Sequence, residues 1–414
     1  MYATLSRFTN LSIKPLAVIS IFSLGIGVAH GADEAIKKIL IKSAKDAGFT
    51  PAADLYQNPD ENLANFGKVI FSSNKGLSLN GNISCKTCHL NERGSADGIP
   101  NAAAIGGKGE SVERLLSGAK QLPRNTLAFW GRGAKEFKTF FWDGKIDYAG
   151  VQPKTQFGSK IPSSDPLITA VHLPVVEIRE MLDEDAFIAN NKVENVENSR
   201  KVYRRIAKKL VAVEPDASLG IAKVLGKSVD QLEFLDFARA IAAFIRSEFR
   251  LRPTKFEKFV NGGGSLTNEE LTGGIIFYGK GACVTCHNGP HFSDFKFYAV
   301  PFPQLGFGKN GFGVDYGRYN VSFQPKDLYK FRTPPLYNVE KTAPYGHSGS
   351  VATIEEAIYS HFDPLRNIDL AKLSPLDRHE LTKRLSANDS SLRVNFLTEQ
   401  EVKLVASFLK TLSF

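Results

Sequence analysis

Residue types that ligate metals or carry electrons are scarce here: 414 residues hold 4 Cys, 2 Met and 2 Trp. Four cysteines are too few to staple a chain of this length into a disulfide scaffold. No run of five like charges occurs, although Lys and Arg outnumber Asp and Glu by 52 to 43. A nucleic acid stripe would be denser, so the surface is mildly basic and nucleic acid is not an expected partner. The chain also lacks an uninterrupted apolar run of the ~20 residues that a membrane span requires, which excludes a polytopic membrane protein. With 43% hydrophobic and 23% charged residues it is neither disordered nor collagen-like. At ~150 residues per domain the length suits two or three domains, or one large one.

The longest apolar stretch, Pro15–Ala29, follows Arg7 and Lys14, runs into Ala29-His30-Gly31, and has no acidic residue before it. A basic start, a short apolar run and small residues at its end describe a secretory signal peptide. Residues 1–31 are therefore expected to be removed near Gly31/Ala32, and the run is short for an uncleaved anchor. Export places the mature chain in an oxidising compartment, where four cysteines would ordinarily form two disulfides.

Their spacing points elsewhere. All four fall in two copies of one pattern, Cys85-Lys86-Thr87-Cys88-His89 and Cys283-Val284-Thr285-Cys286-His287. C-x-x-C-H is the attachment signature of haem c: two thiols three positions apart form thioethers with the vinyl groups of one porphyrin, and the following His ligates the iron. A thioredoxin-like redox pair does not need that His twice. A structural zinc would require both pairs to converge on one metal, leaving both histidines unexplained. Two covalently bound haems c are expected.

The surroundings of the two sites repeat. Asn62–Phe71 precedes the first and Glu270–Phe277 the second, each with Gly followed closely by an aromatic, then a Gly-bearing loop. Far downstream lie amphipathic stretches over Leu232–Phe249 and Leu397–Phe414, apolar at three- and four-residue steps. Helix, haem loop and closing helix is the plan of a cytochrome c unit. The expectation is a mainly α fold of two tandem cytochrome c-like haem domains with long loops, 32–252 and 253–414. The seam lies in the breaker-rich stretch from Arg252-Pro253 to Asn261-Gly-Gly-Gly264.

An iron with one protein ligand does chemistry, and one with two mostly carries electrons. Once residues 1–31 are gone, Met181 is the sole methionine, and the histidines outside the motifs are His172, His291, His347, His361 and His379. Methionine cannot ligate both haems. In the second unit the candidates are His347 and His361. In the ~80 residues after His89 only His172 occurs, which favours an open first iron.

Gly81–Pro100, Pro123-Arg124-Asn125-Thr126, Phe141-Trp142-Asp143-Gly144, Pro174 through Met181, Phe331–Val339 and Thr342–Gly349 together resemble, in order, the bacterial di-haem cytochrome c peroxidase family, which includes the MauG-type enzymes. The resemblance covers nearly the whole mature chain from about Asn62. It implies that His89 is the proximal ligand of a peroxidatic haem and that Glu180, six residues after Pro174, is the distal carboxylate, with Glu177 the near alternative. A carboxylate over the iron can take a proton from the inner oxygen of hydrogen peroxide and return it to the outer one, so that water leaves. Trp142 matches a tryptophan between the haems. Asn125, Thr342 and Pro344 match positions that supply oxygens to calcium, a hard cation suited to such donors. His287 is the proximal ligand of the second haem. His361, fourteen positions beyond His347, is its second axial ligand where the peroxidases commonly carry Met and MauG-type proteins Tyr. The Gly-rich stretch Ala103–Gly109 lacks the His often found there, implying a five-coordinate first haem without reductive activation. His172 is a candidate polar group on the distal side.

Two readings follow. The first is a periplasmic enzyme that reduces hydrogen peroxide with electrons from a small electron-transfer protein, or by oxidising a partner protein as MauG-type enzymes do. A homodimer is the assembly usual in the family. The second is a non-catalytic di-haem electron-transfer cytochrome, which requires a second strong ligand on the first haem.

Overall fold

The computed structural model describes residues 29–79, 82–158, 160–183, 196–366, 368–387 and 395–414. Most of the expected export signal, residues 1–28, lies outside the described residues. Helices dominate, and the described strands are only two residues long.

Two helix crossings organise the molecule, and they are copies of each other. Helix α1 spans Ala29–Asp46 and α2 Glu61–Phe71. The Asp60 carboxylate caps α2 by accepting from Leu63 N–H at 3.0 Å, and Leu63, Ala64, Gly67, Ile70 and Phe71 form its buried face. After α3 (Pro166–Val171), α4 (Phe234–Glu248) crosses α2. The approach is close enough that a Cβ on Gly67 would lie 1.9 Å from the Ala240 carbonyl oxygen. In the second half α5 (Asn268–Tyr278) begins at a Thr267/Glu270 capping box. After α6 (Ile354–Tyr359), α7 (Glu399–Lys410) begins at a Thr398/Glu401 box and crosses α5. Here a Cβ on Gly273 would lie 1.9 Å from the Leu404 carbonyl oxygen. One turn on from each glycine the same ring pair recurs: Phe71 on Phe244 at 5.0 Å and Phe277 on Phe408 at 5.2 Å. The Gly-then-aromatic repeat in the sequence is thus the imprint of two backbone contacts that no larger residue allows.

Each crossing seeds its own core. One runs from Leu63 to Phe249, and the other takes up at Leu251 and continues to Leu412. Leu40, Ala44, Ala52 and Leu55 pack in the second core, with α1 against α5, so the first described helix crosses over to the far unit. Chain order alone put these residues with 32–252.

Short strands hold the loops between the cores. β1 (Thr139–Phe140), β2 (Ile146–Asp147) and β3 (Lys154–Thr155) form an antiparallel sheet, and the β1–β2 turn is Phe141-Trp142-Asp143-Gly144-Lys145. Farther on come β4 (Phe297–Tyr298), the hairpin β5 (Phe307–Gly308) and β6 (Gly311–Phe312), and β7 (Phe331–Arg332), which pairs with β4. Arg332 N–H donates to Trp142 O at 2.8 Å, joining β7 to the β1–β2 turn. The halves are also tied by charge. Arg124 meets Asp315 through Nε at 2.8 Å and Nη2 at 2.9 Å, and Asp143 through Nη1 at 2.6 Å. Two buried carboxylates on one guanidinium give a paired, geometrically fixed cross-link.

Candidate redox centres

The two C-x-x-C-H sequences open on separate cavities that share one wall. Cys85, Cys88 and His89 line a cavity of about 390 Å³. Cys283, Cys286 and His287 line one of about 240 Å³. The common wall is Asn125, Thr126, Leu127, Arg132 and Trp142. Trp142 is fixed there by donating Nε1–H to Asn125 O at 2.9 Å. The four thiols form no disulfide.

Each motif histidine is oriented by the chain that follows it. His89 Nδ1 lies 2.9 Å from Ser95 O, and His287 Nδ1 lies 2.9 Å from Phe292 O. A carbonyl only accepts, so Nδ1 carries the proton and Nε2 keeps its lone pair for a metal. Burial holds both imidazoles neutral, pulling His89 down to about 3 and His287 to about 4. Phe129 stacks on the His89 ring at 3.7 Å.

In the second cavity His361, two residues beyond α6, faces His287. Its Nδ1 is 2.8 Å from Ala357 O, and the two ring centroids are 6.5 Å apart. With metal–nitrogen bonds of about 2 Å, rings sharing one metal stand ~6 Å apart, so this pair fits an iron between them. His347 lines the same cavity but is otherwise engaged: Nε2 is 2.8 Å from Gln304 Oε1, and the ring stacks on Phe331 at 3.9 Å.

The first cavity has no such second imidazole among the described residues. His172 lies outside it, with Nδ1 on Ile168 O at 2.8 Å and its ring against Tyr203 and Phe234. His172 is therefore not a distal group of this cavity, because the end of α3 turns it into an aromatic pocket. What lines the cavity instead is Glu177, Glu180 and Met181, with Lys145 from the β1–β2 turn and Lys309 from the β5–β6 hairpin. The turn carrying Glu180 is tightly wound. Glu180 N–H donates to Glu177 O at 3.2 Å, and Arg179 takes a left-handed φ of 70°. Such backbone in a non-glycine residue is costly and concentrates at functional sites.

The two carboxylates are pushed apart electrostatically. Burial raises both, but Lys145, ion-paired to Glu177, brings Glu177 below its ordinary range. Glu180 has no ion pair among the described residues. Burial, helped by the Glu177 charge and opposed by Lys145 and Lys309, lifts it to about 7. One carboxylate stays ionised while its neighbour titrates near neutrality, the division expected of an acid/base site. The ion pair separates the two candidates that motif spacing left side by side.

Asn125 and Pro344 are brought together, and the Thr342 hydroxyl is spent on Val339, which leaves Thr342 only its carbonyl oxygen to offer a cation. Asn125 Nδ2 donates to Pro344 O at 2.6 Å, and Thr342 Oγ1 donates to Val339 O at 3.1 Å. Turning the Asn125 amide over would set Oδ1 against Pro344 O, a contact that needs a cation between the two oxygens. Sequence reasoning missed Lys145, Lys309 and Arg132. Lys145 carried a weak signal, two residues after Asp143 in a quoted motif, while Lys309 carried none, because its hairpin reaches the cavity only through the tertiary fold.

A sequence model of the family described as di-haem cytochrome c peroxidase matches residues 61–265. The cytochrome-c peroxidase IdrP1 of Pseudomonas sp. (strain SCT) is 26% identical over 317 residues, covering 70% of this chain and 69% of that protein. The cytochrome c551 peroxidase of Nitrosomonas europaea is 27% identical over 354 residues, 84% of each chain. A MauG-like protein associated with microbial copper homeostasis shares the fold, with a TM-score of 0.61 at 23% identity over 88% of this chain and 92% of the other. The family that the chain resembles, by this match and by its relatives, is that of the di-haem cytochrome c peroxidases. The chain is an oxidoreductase of that type, and the family name carries two haems per chain.

Proposed function

We propose that the mature chain is a periplasmic enzyme with two tandem haem c domains that uses hydrogen peroxide as oxidant at the Cys85–His89 site. The balance is H2O2 + 2 e⁻ + 2 H⁺ → 2 H2O. The electrons come from a small electron-transfer protein, or from a residue of a partner protein that is thereby oxidised. The observation that carries this reading is the asymmetry of the cavities: His287 faces His361 in one, while His89 shares the other with the free carboxylate of Glu180. Among the described residues no helix is long and apolar enough to cross a membrane.

The thiols and neutral imidazoles fit haem c at both sites. When bound, haem supplies an iron that exchanges electrons one at a time. The chain supplies the rest. Glu180 Oε takes the proton from the inner peroxide oxygen and delivers it to the outer one, and its value near 7 suits both halves of that task. The Lys145–Glu177 pair keeps the neighbouring charge fixed, so that only Glu180 titrates in the working range. Trp142, on the common wall, lies where an indole can relay an electron between the sites. His361 closes the second site, which suits storage and transfer rather than turnover.

Met181 favours a second reading, because this thioether lines the first cavity. Were it a ligand, both irons would be closed and the protein would be an electron carrier. The spectrum of the oxidised protein decides between the two. The enzyme gives one high-spin and one low-spin haem and reacts with peroxide without prior reduction. Two low-spin haems, one turning high-spin in Met181→Leu, would establish the carrier. Glu180→Gln is expected to abolish turnover by about 10²–10⁴-fold with both haem spectra retained, and surviving turnover would remove Glu180 from the mechanism. Calcium held by Asn125, Thr342 and Pro344 is proposed as a brace between the halves. Chelation that leaves turnover and melting unchanged would dismiss it.

A further inference from the structure

Among the described residues the buried arginines differ in how fully their guanidinium groups are met. Arg124 is held by Asp143 and Asp315, and Arg114 donates to the carbonyls of Ala104, Gly107 and Asn82. Arg132 and Arg332 are as deeply placed, at 6% and 1% exposure. Like Arg114, neither meets a carboxylate among the described residues, and each has fewer carbonyl partners than Arg114. Arg132 spends Nε on Ala128 O at 2.7 Å, while Arg332 spends Nε on Phe141 O at 3.0 Å and Nη1 on Thr333 O at 3.1 Å. Both guanidinium groups lie against the ring of Phe137, at 6.0 Å and 5.6 Å from its centre. Burial pulls each down to about 9, and for Arg132 the charge of Arg332 adds to the effect. Two neighbouring buried cations without an anion are too costly for a fold to keep unless something outside the chain compensates them.

Their placement says what that is. Arg332 lines the second cavity, and Arg132 stands on the wall common to both. None of the four cysteines is on that wall. A porphyrin tethered through its vinyl groups on the cysteine side carries its two propionates away from that side. We propose that Arg132 and Arg332 are the binding site for the propionate carboxylates of the bound haems, Arg332 serving the second haem and Arg132 serving both. Planar guanidinium forks with unspent Nη donors suit carboxylates. The assignment rests on the haem reading above and adds a consequence to it. The positive charge disfavours ferric iron, so the pair raises the potential of a bis-imidazole haem that would otherwise sit low.

The test uses the full-length protein with both haems attached. A pyridine haemochrome assay comes first, and fewer than two haems c per chain would defeat the haem reading whatever the arginines do. With two haems present, each midpoint potential is measured optically in wild type, Arg332→Gln, Arg132→Gln and Arg332→Lys. Arg332→Gln is expected to make the low-spin haem about tenfold harder to reduce, a fall of about 59 mV for one electron, with the high-spin haem little changed. Arg132→Gln should lower both, and Arg332→Lys should recover most of the loss. Potentials unchanged within twofold in both Gln variants, or a Lys variant as low as the Gln variant, would overturn the assignment. Should a variant not fold, infrared difference spectra of the wild type with isotope-labelled propionates still decide it. Ionised carboxylate bands perturbed by guanidinium support the site, and bands of protonated or freely hydrated carboxyls reject it.

Discussion

Around Cys85–His89 and around Cys283–His287 the chain repeats one construction: a glycine let into the crossing of two helices, a phenylalanine pair one turn on, and a histidine aimed by a carbonyl of the following loop. The cavities above them differ. The second is about 240 Å³ and holds an imidazole facing His287, while the first is about 390 Å³ and holds Glu180 among two lysines and a paired glutamate. The lesson is that the scaffold fixes where a redox group sits, and a few loop residues decide whether it reacts or conducts. In the second unit the loop after α6 supplies His361. In the first, the end of α3 takes His172 away into an aromatic pocket, and the next turn presents a carboxylate instead.

That contrast can be broken most severely by making the second site resemble the first. His361→Ala removes the imidazole opposite His287 and should convert the whole low-spin signal to high-spin, read by electron paramagnetic resonance. A signal that stays low-spin would show that another residue closes that site.

The glycine crossings test whether the two scaffolds are equivalent. Gly67→Ala and Gly273→Ala each force a methyl group to within 1.9 Å of a backbone oxygen, and each should cost about 1–3 kcal/mol, the range for overpacking. Calorimetry of both variants should show similar losses. A large cost at one glycine only would mean that the two crossings bear load differently.

The electrostatic difference is sharpened by pH. In the proposed mechanism Glu180 acts first as a base, so turnover should fall about tenfold per unit as pH drops below about 7, and level off above it. Lys145 opposes the rise in Glu180, so Lys145→Met should move that limb to higher pH. A limb that stays in place in this variant would separate Glu180 from the observed titration. The smallest effect is expected from Trp142→Phe, which keeps an aromatic on the common wall but removes the donor to Asn125 O. Electron transfer between the sites, followed by stopped-flow spectroscopy, should slow by a few-fold, with Glu180 chemistry untouched.

Much of this was legible in the residues. The two C-x-x-C-H motifs need only local geometry, because their thiols and histidine lie within five consecutive positions. The Gly-aromatic repeats sit where the helices cross, and the helices begin within two residues of the amphipathic stretches, although the last ends at Lys410, short of Phe414. Harder to see were contacts made by loops that travel far. Nothing in the sequence around Lys309 says that its hairpin reaches across to Glu180's cavity, and nothing near Leu40 says that it packs in the second core. Arg332 stood in a quoted motif, but its want of a counter-charge is a property of its surroundings and not of its neighbours in sequence.

The sequence by itself determined that the chain carries two haem c attachment motifs, that methionine cannot close both irons, and that amphipathic helices flank each motif, because covalent chemistry, residue counts and helical periodicity act over a few positions. Only the tertiary structure decided which histidine faces His287, which of two glutamates is left free to titrate, and which arginines lack an anion. Distance and burial set those outcomes, and both depend on segments far apart in the sequence being folded against one another.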